Sequence, residues 1–341
     1  MSGRAWIVVL NWNGKEYIRD CLASAFAQTY PDFVVACVDN GSTDGSTAIV
    51  RDEFPDARLI ALPENLHYAR GTNVGMQEAL ADPRCEFIVP LNNDTRVDRE
   101  WLANLVRAAD SPGVGAVAAK LLLMDHPDVL NGAGIWITRD GAGVDRGWLQ
   151  KDEGQFDHDP EVFGGSGGAA LYRRSTLETV GLLDADFVAY LEDVDLAWRI
   201  RIGGYRAAFA PNAIVYHKHS ASTAPNSPWK TYISERNRIW NLMQNYPWRY
   251  VALAPPWNVA RNIVALRRRI RPNRYPIVFG QSLTFRDVVR AHLQGRYDAY
   301  RGMRRAVRKR RLRDAYRKAT ASDVEGWFRR FGIRIRDVPI H

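Results

Sequence analysis

The first 120 residues alternate between short runs rich in β-branched and aromatic residues and segments with apolar residues at helical spacing. Strands are predicted at residues 6–10, 33–38, 58–62, 86–91 and 115–119. Helical spacing follows the first of them at Tyr17, Cys21, Leu22 and Ala25. Because repeated strand–helix–strand units require parallel pairing, we expect an α/β fold with a mainly parallel central sheet that helices flank on both faces.

Polar side chains gather directly after three of these predicted strands. They are Asn11 and Asn13, then Asp39, Asn40 and Ser42, then Asn92, Asn93 and Asp94. Because ligands of parallel sheets bind beyond the carboxyl ends of the strands, the three groups are candidates for one binding site. Turns and helix N-caps prefer the same residue types, so each group taken alone fits a structural cap equally well.

A dense acidic group, Glu192, Asp193 and Asp195, stands at the start of an apolar helical segment. Crowding can raise the pKa of one such carboxylate towards that of a useful general base. The alternative is helix capping, because acidic residues in a first helical turn stabilise the helix by about 0.3 to 1 kcal/mol. Asp94 is a candidate ligand for Mg²⁺ or Mn²⁺, which prefer carboxylate and phosphate oxygens, and His217 is a candidate second ligand.

The sequence between residues 132 and 224 is less regular. A hairpin is predicted around Asp140 and Gly141, and a glycine-rich run covers residues 164–168. This run is not a phosphate loop, because neither Gly-Lys-Ser nor Gly-Lys-Thr follows it. It is compatible with close backbone approach to an acceptor and equally with a flexible loop. Near Ala224 the composition shifts to Trp, Pro and Arg, which predicts a domain boundary.

Charge is distributed unevenly along the chain, whose net charge is +9. Residues 261–341 hold 23 basic and 6 acidic residues, a net charge of +17, whereas residues 1–260 carry −8. A basic end of this kind predicts an electrostatic partner, either nucleic acid or an anionic membrane. An apolar stripe interleaved with arginines indicates an interfacial helix, but packing on the catalytic part or on a second subunit is the alternative. The stripe consists of Val289, Leu293, Tyr297, Tyr300, Met303 and Val307.

The cysteines and the apolar runs bear on the cellular compartment. Cys21, Cys37 and Cys85 are far apart and lack CxxC spacing, so neither a disulfide framework nor a zinc site is predicted. The N-terminal apolar run is interrupted at Asn11, which argues against a signal peptide. The apolar stretches fall short of the roughly 18 residues that a spanning helix needs. We therefore expect a cytoplasmic protein that is peripheral on the inner face of the cell membrane.

Several motifs, taken together and in order, resemble glycosyltransferase family 2. They are the segments 9–14, 38–46 and 64–75, the sequence 92–94 where that family carries a DxD-type metal motif, and the acidic sequence 192–196. His217 with Ser222 resembles its late His-Ser segment. The set covers roughly residues 5–223, and the stretches 235–238 and 245–247 are most similar to the rhamnosyltransferase-like branch.

The resemblance implies a glycosyltransferase-A fold over residues 1–224, with a donor half at about 1–120 and an acceptor half at about 121–224. Residues 225–341 would form a basic, mostly helical extension that contacts a membrane or, in a homo-oligomer, a second subunit. The implied activity is inverting transfer of a sugar, rhamnose among the candidates, from a dTDP- or UDP-sugar donor. The acceptor would be a hydroxyl of a glycan or of a lipid-linked sugar.

The resemblance also implies catalytic roles. Asp193 would be the general base, with Glu192 and Asp195 positioning the acceptor. Asp94 and His217 would hold a divalent cation, Mn²⁺ or Mg²⁺, on the donor diphosphate.

A donor pocket is implied in the same way. Asp39 would contact the nucleobase, and Arg70 and Asn73 would line the pocket. Its further members are Asn11, Asn13, Asn40, Ser42, Gly71, Asn92 and Asn93.

The sequence departs from the family at two places and leaves two other functions to weigh. The metal motif holds one carboxylate where two are often found, which predicts weak metal binding without donor. His67 and Tyr68 stand where the family more often has a glycine and an aromatic residue.

A nucleotidyltransferase on a similar sheet would also need a nucleotide pocket and a metal. The second alternative is a basic nucleic-acid-binding protein. That function would not explain the acidic residues at 192–195, so no nucleic-acid partner is expected.

Overall fold

The computed structural model describes residues 3–218, 227–269 and 284–338. The predicted boundary near Ala224 and the family residue Ser222 lie outside these ranges. The elements in chain order are β1 (Arg4–Asn11), α1 (Ile18–Phe26), β2 (Phe33–Asp39), α2 (Ser46–Glu53), β3 (Arg58–Ala61), α3 (His67–Ala81), β4 (Cys85–Asn92), β5 (Thr95–Val97), α4 (Trp101–Ala109), β6 (Val114–Leu123), β7 (His126–Gly132), β8 (Ile135–Ile137), β9 (Gly143–Asp145), β10 (Glu161–Val162), β11 (Leu171–Arg173), α5 (Arg174–Val180), α6 (Glu192–Ile202), β12 (Arg206–His217), α7 (Pro228–Asn245), α8 (Trp248–Arg269), α9 (Phe285–Arg301), α10 (Met303–Asp314) and α11 (Ala321–Phe331).

The central sheet has the strand order β10-β12-β6-β11-β4-β1-β2-β3, with β5 on β12 and β7 on β6. The long pairings of β1 with β2 and β4, and of β6 with β12, are parallel. The predicted α/β fold with a mainly parallel sheet is therefore confirmed, and each of the five predicted strands is present. The short strand β11, which the sequence did not predict, lies between β4 and β6 and runs antiparallel to both.

Two apolar layers cover the sheet, one on each face. Along β1 the side chains alternate between the layers, with Ile7 in the layer of α1 and α4 and Val8 in the layer of α3 and α6. Trp101 and Met76, one in each layer, are fully buried. Full burial of one such large apolar side chain stabilises the fold by roughly 1.5–3 kcal/mol.

The C-terminal helices share a third apolar cluster with α6 and the β8–β9 hairpin. Trp198 of α6 stacks at 4.1 Å on Tyr246, which follows α7, and Phe328 of α11 packs beside both rings. Ile135 and Phe163 complete the cluster from the other side. Helices α7 and α11 are thus packed against α6 and the β8–β9 hairpin.

The predicted hairpin around Asp140 and Gly141 is present as β8 and β9. Gly141 has φ +97°, and a Cβ there would lie 2.3 Å from the carbonyl oxygen of Arg238, so only glycine fits without strain. Asp140 is fully buried and accepts a hydrogen bond from Asn258 of α8. The hairpin tip is therefore held by α7 and α8.

The predicted apolar stripe does not run along a single helix. Gly302 ends α9, and Met303 opens α10, so the last two stripe residues belong to the next helix. A Cβ on Gly302 would lie 2.4 Å from the ring of Trp240, so this close approach requires glycine. The α9 part of the stripe is exposed, with Leu293 at 63% and Tyr297 at 62%.

Candidate active site

The carboxyl ends of β1, β2 and β4 meet at one rim, as predicted. Parallel register places Asn11 beside Asp39 and Leu10 beside Asn92. The Asn11 amide donates to Asp39 Oδ1 at 3.0 Å, and the Asn93 amide donates to Asn11 Oδ1 at 2.9 Å. Asn11, Asp39 and Asn93 are buried, so their hydrogen bonds hold the ends of the three strands in fixed positions.

The loop after β1 is locked to the loop after β2. The Asn13 backbone N–H donates to Ser42 Oγ at 3.0 Å, and Asn13 Oδ1 accepts from the Thr43 N–H at 2.8 Å. Asn13 adopts φ 48°, a left-handed conformation that asparagine tolerates better than most residues. Asn13 and Ser42 therefore shape the rim where a nucleotide is expected.

The start of α3 packs against the rim at Asn40. The Asn40 side chain accepts from the Leu66 N–H at 2.8 Å and thus holds the segment that leads into α3. A Cβ on Gly71 would lie 3.0 Å from the Asn40 amide, so this residue permits close packing. The Asn73 amide donates to the Leu183 carbonyl at 2.8 Å and is a structural tie, whereas Arg70 is exposed.

Asp94 and His217 are adjacent although 123 positions separate them in the sequence. The pairing of β5 with β12 sets Thr95 opposite His217, and His217 Nε2 lies 3.3 Å from Asp94 Oδ1. His217 Nδ1 lies 2.5 Å from Asn131 Oδ1. Because an amide oxygen only accepts, Nδ1 donates this hydrogen bond, and Nε2 is the ring nitrogen that faces Asp94.

This donor set fits a divalent cation. A carboxylate oxygen and a neutral imidazole nitrogen are both ligands of Mn²⁺, and both side chains are largely buried. Within residues 3–218, 227–269 and 284–338 there is no group of three or more His, Cys, Asp or Glu arranged to hold a metal. Asp94 and His217 alone would form an incomplete site that diphosphate oxygens could complete.

Asp193 is partly buried at the N-terminus of α6. Its Oδ2 accepts a hydrogen bond from the Gly167 N–H at 2.9 Å. Its Oδ1 accepts one from the N–H of the next residue, Val194, at 2.7 Å. Burial raises the pKa of Asp193, and the two backbone donors offset part of that rise. Burial and the neighbouring Asp193 raise the pKa of Glu192 well above its ordinary value. The two carboxyls therefore carry less negative charge than two free carboxylates.

Asp195 does not line the open site with Asp193. It is fully buried, and its carboxylate binds Arg199 at 2.8 Å and Arg313 of α10 at 2.7 Å. Burial alone would raise the pKa of Asp195, but the charges of Arg313 and Arg199 outweigh it and hold this pKa at about 2. Asp195 therefore anchors α6 to the C-terminal helices, and the acceptor-positioning role expected of it stays a prediction.

The segment that leads into the acidic group has an unusual backbone. Val188, Tyr190 and Leu191 all have positive φ, between 65° and 68°. Such conformations cost on the order of 1–3 kcal/mol each and cluster at functional sites. The Asn237 amide donates to the carbonyls of Phe187, Ala189 and Tyr190 at 2.7 to 2.9 Å and holds the segment in place.

The glycine-rich run connects the donor rim to the acidic group. Besides the Gly167 bond to Asp193, the Gly168 carbonyl accepts from the Asn92 N–H at 3.1 Å. A Cβ on Gly164 would lie 2.3 Å from that of Ala197. The run is packed and hydrogen-bonded within the protein, and its predicted close approach to an acceptor stays a prediction.

Sequence reasoning missed two residues of the site. Tyr68 donates to the Gly167 carbonyl at 2.7 Å, and its hydroxyl lies within electrostatic reach of Asp193 and Asp94. Asp145, at the end of β9, accepts a hydrogen bond from Ser166, and burial together with Asp193 raises its pKa to about 7. In the sequence, Tyr68 stands out only as a departure from the family motif, and Asp145 lies in an irregular stretch with no motif around it.

Comparison with known sequences agrees with the resemblance to glycosyltransferase family 2. The sequence model described as Glycosyl transferase family 2 matches residues 6–181. O-antigen biosynthesis protein RfbC of Myxococcus xanthus is 28% identical over 234 residues, which are 65% of this chain and 18% of that protein. An N-acetylglucosaminyl-diphospho-decaprenol L-rhamnosyltransferase of Mycobacterium tuberculosis is 26% identical over 241 residues, 64% of this chain and 76% of that protein. The chain spans less than a fifth of RfbC and about three quarters of the rhamnosyltransferase.

Solved structures share the fold. GalNAc-T7 with UDP, GalNAc and Mn²⁺ has a TM-score of 0.58 at 12% identity, over 87% of this chain and 54% of that chain. Staphylococcus aureus TarS has a TM-score of 0.52 at 16% identity, over 92% of this chain and 53% of that chain. The likeness concerns architecture, and the predicted glycosyltransferase-A fold is confirmed.

Proposed function

Because this chain belongs to glycosyl transferase family 2, we propose that it is an inverting glycosyltransferase that uses Asp193 as its general base. Asp193 removes the proton of an acceptor hydroxyl while that oxygen attacks the anomeric carbon of the donor sugar. The bond from this carbon to the diphosphate breaks, and a nucleoside diphosphate leaves with the electron pair. One displacement of this kind inverts the anomeric carbon.

The observation that carries the proposal is the setting of Asp193. Its carboxylate is partly buried and is held by the Gly167 N–H at 2.9 Å, next to the rim formed by β1, β2 and β4. A fixed carboxylate with a raised pKa is suited to accept a proton near neutral pH. Burial and the neighbouring Asp193 raise the pKa of Glu192 well above its ordinary value, which disfavours a second negative charge beside the base.

A divalent cation is part of the proposal, with Asp94 and His217 as its protein ligands. When bound, Mn²⁺ or Mg²⁺ would stabilise the negative charge of the departing diphosphate. The Asn131 hydrogen bond to His217 Nδ1 keeps the imidazole oriented for this task. The presence of Mn²⁺ in the GalNAc-T7 structure fits this assignment.

The donor is proposed to be a dTDP- or UDP-sugar, rhamnose among the sugars, and the acceptor a glycan or a lipid-linked sugar. The name of the mycobacterial relative, an L-rhamnosyltransferase acting on a diphospho-decaprenol, supports a lipid-linked acceptor. Asp39, buried at the end of β2, would face the nucleobase through the rim that Asn11 and Ser42 shape. The alternative function is that of a nucleotidyltransferase, which an assay must distinguish from sugar transfer.

The site can be tested with a panel of nucleotide sugars. Purified full-length protein is incubated with each dTDP-, UDP- and GDP-sugar and Mn²⁺, and thermal unfolding and nucleoside diphosphate release are both measured. A donor at about 100 times its dissociation constant stabilises the protein by roughly 2.7 kcal/mol, so the matching donor raises Tm above the others. Release of pyrophosphate instead of nucleoside diphosphate would favour the nucleotidyltransferase.

An anionic membrane surface is proposed to bind the exposed face of α8 and α9. Leu253 and Val259 of α8 and Leu293 and Tyr297 of α9 are exposed apolar side chains, and Arg290 of α9 is exposed beside them. Among the described helices none is long and apolar enough to cross a membrane. A surface location at the inner face of the cell membrane would bring a lipid-linked acceptor to the site, and each basic residue near anionic lipid contributes about 1 kcal/mol.

Liposome sedimentation tests the membrane face. Leu293→Ser and Arg290→Ser should reduce pelleting with anionic vesicles at low salt. Arg51→Ser, an equal charge change at an exposed position of α2, should not. Equal pelleting with neutral and anionic vesicles would contradict the proposal. Loss of self-association in Leu293→Ser, seen by light scattering, would show instead that a second copy covers the face.

A further inference from the structure

A group of side chains lies beside the acidic residues on the side of α7. The first turn of α7 begins at Ser227, whose side chain accepts from the Lys230 N–H, and Pro228 follows at the first helical position. This start fixes the two residues after Pro228, Trp229 and Lys230, next to the strained segment that precedes Glu192.

Two aromatic rings form one wall of this group. The rings of Tyr190 and Trp229 lie with centroids 6.0 Å apart at an angle of 60°. Trp229 is 39% exposed, which is unusual for the largest apolar side chain in a folded protein. Tyr190 belongs to the segment that Asn237 holds, so this ring has a fixed position three residues before Asp193.

Two charged groups flank the rings. Lys230 Nζ lies 5.3 Å from the centroid of the Tyr190 ring. Asp145 lies within electrostatic reach of both Lys230 and Asp193 and is bound by Ser166, the residue before Gly167. Lys230 therefore lies against the Tyr190 ring that packs on Trp229, and the charge of Asp145 interacts with both Lys230 and the proposed base.

We propose that Trp229, Lys230 and Asp145 form a subsite that binds the sugar ring of a saccharide acceptor. The inference rests on the proposed function, because it places the acceptor hydroxyl at Asp193. The Trp229 face would cover the apolar face of the pyranose, while Lys230 and Asp145 bind its hydroxyls. A binding site with one apolar wall and a few convergent polar groups is the arrangement that selects and orients a small polar ligand.

The subsite can be tested by binding, without turnover. Full-length protein is mixed with UDP and a panel of pyranose methyl glycosides, and saturation-transfer NMR measures contact with each sugar. At least one glycoside should bind, and Trp229→Ala should weaken it about tenfold, as the loss of an aromatic anchor does. Trp229→Phe should retain most of the binding, and Lys230→Met and Asp145→Asn should each weaken it.

Controls separate this inference from the proposed function. Trp248→Ala removes another exposed tryptophan, on α8, and should leave glycoside binding unchanged. UDP binding, measured by calorimetry, should stay within about twofold in each subsite variant, and thermal unfolding checks that each variant is folded. Binding of no glycoside, or equal binding by Trp229→Ala and wild type, would overturn the subsite. Glycoside binding without any sugar transfer would leave the subsite standing and refute the glycosyltransferase.

Discussion

Replacement of Arg313 by methionine is expected to destabilise the protein although Arg313 lies about 120 positions after the acidic group. Arg313 Nη1 lies 2.7 Å from Asp195 Oδ1, and Asp195 is fully buried. Removal of one partner of a buried ion pair costs about 3–5 kcal/mol, because the other charge stays buried. Arg199 remains 2.8 Å from Asp195, so we expect the lower end, about 3 kcal/mol.

The pKa of Asp195 gives a second estimate of the same energy. A folded-state pKa of about 2, against an ordinary 3.8, corresponds to roughly 2 kcal/mol of stability at neutral pH. Since this pKa is depressed, the stabilisation is present above about pH 4 and is lost as the pH falls towards 2. Arg313→Met should therefore raise the pKa of Asp195 and weaken this acid dependence.

The assay is urea unfolding at pH 7 and at pH 3, a pH between the ordinary and the depressed pKa of Asp195, with Arg311→Met as the matched control. Arg311 lies two positions away on α10 and is exposed, so its loss should change the free energy of unfolding by less than about 0.5 kcal/mol. Adding Asp195→Asn to Arg313→Met should cost less than the sum of the single changes, because it removes the unpaired charge. Equal stability of the two arginine variants, or strict additivity in the double variant, would refute the reasoning.

Three further outcomes are expected. Asp94→Ala and His217→Ala should each abolish metal-dependent donor binding in calorimetry, and full activity in excess chelator would remove the metal from the proposal. Gly141→Ala should destabilise the protein by more than about 1 kcal/mol, whereas Gly326→Ala, in a helix with no heavy atom within 4 Å of the new Cβ, should stabilise it by about 0.5–1 kcal/mol. Because the base must be deprotonated to act, kcat/KM should rise with pH, and the apparent pKa of this rise should lie above the pKa of an ordinary aspartate, since burial raises the pKa of Asp193. A kcat/KM that does not change with pH on the acid side would contradict this.

The meeting of the polar strand ends at one rim could be predicted from the sequence because local rules fix it. A parallel register aligns the ends of β1 and β2, so the polar residues that follow each strand meet without any long-range information. Ligand chemistry and the family resemblance both suggested Asp94 and His217 as ligands, but their contact depends on β5 pairing with β12 across 123 positions.

Other parts of the site depend on contacts that the sequence does not show. Asp195 has the same type and spacing as a catalytic acid, yet its partners Asn245 and Arg313 lie 50 and 118 positions away. Asp145 is a single aspartate in an irregular hairpin, and only the fold brings it near Asp193. The predicted stripe is interrupted at Gly302, which ends α9 and where the ring of Trp240 occupies the space of a Cβ.

The central claim is that Asp193 acts on the acceptor and contributes little to holding the donor. Asp193→Asn keeps the shape of the side chain and removes its basicity. The decisive measurement compares the transfer rate and the donor dissociation constant of this variant with those of wild type and of Glu178→Gln, an exposed acidic position on α5. We expect Asp193→Asn to lose transfer by about 10²- to 10⁴-fold with donor binding nearly unchanged, and Glu178→Gln to match wild type. A transfer rate above about a tenth of wild type in Asp193→Asn would contradict the account.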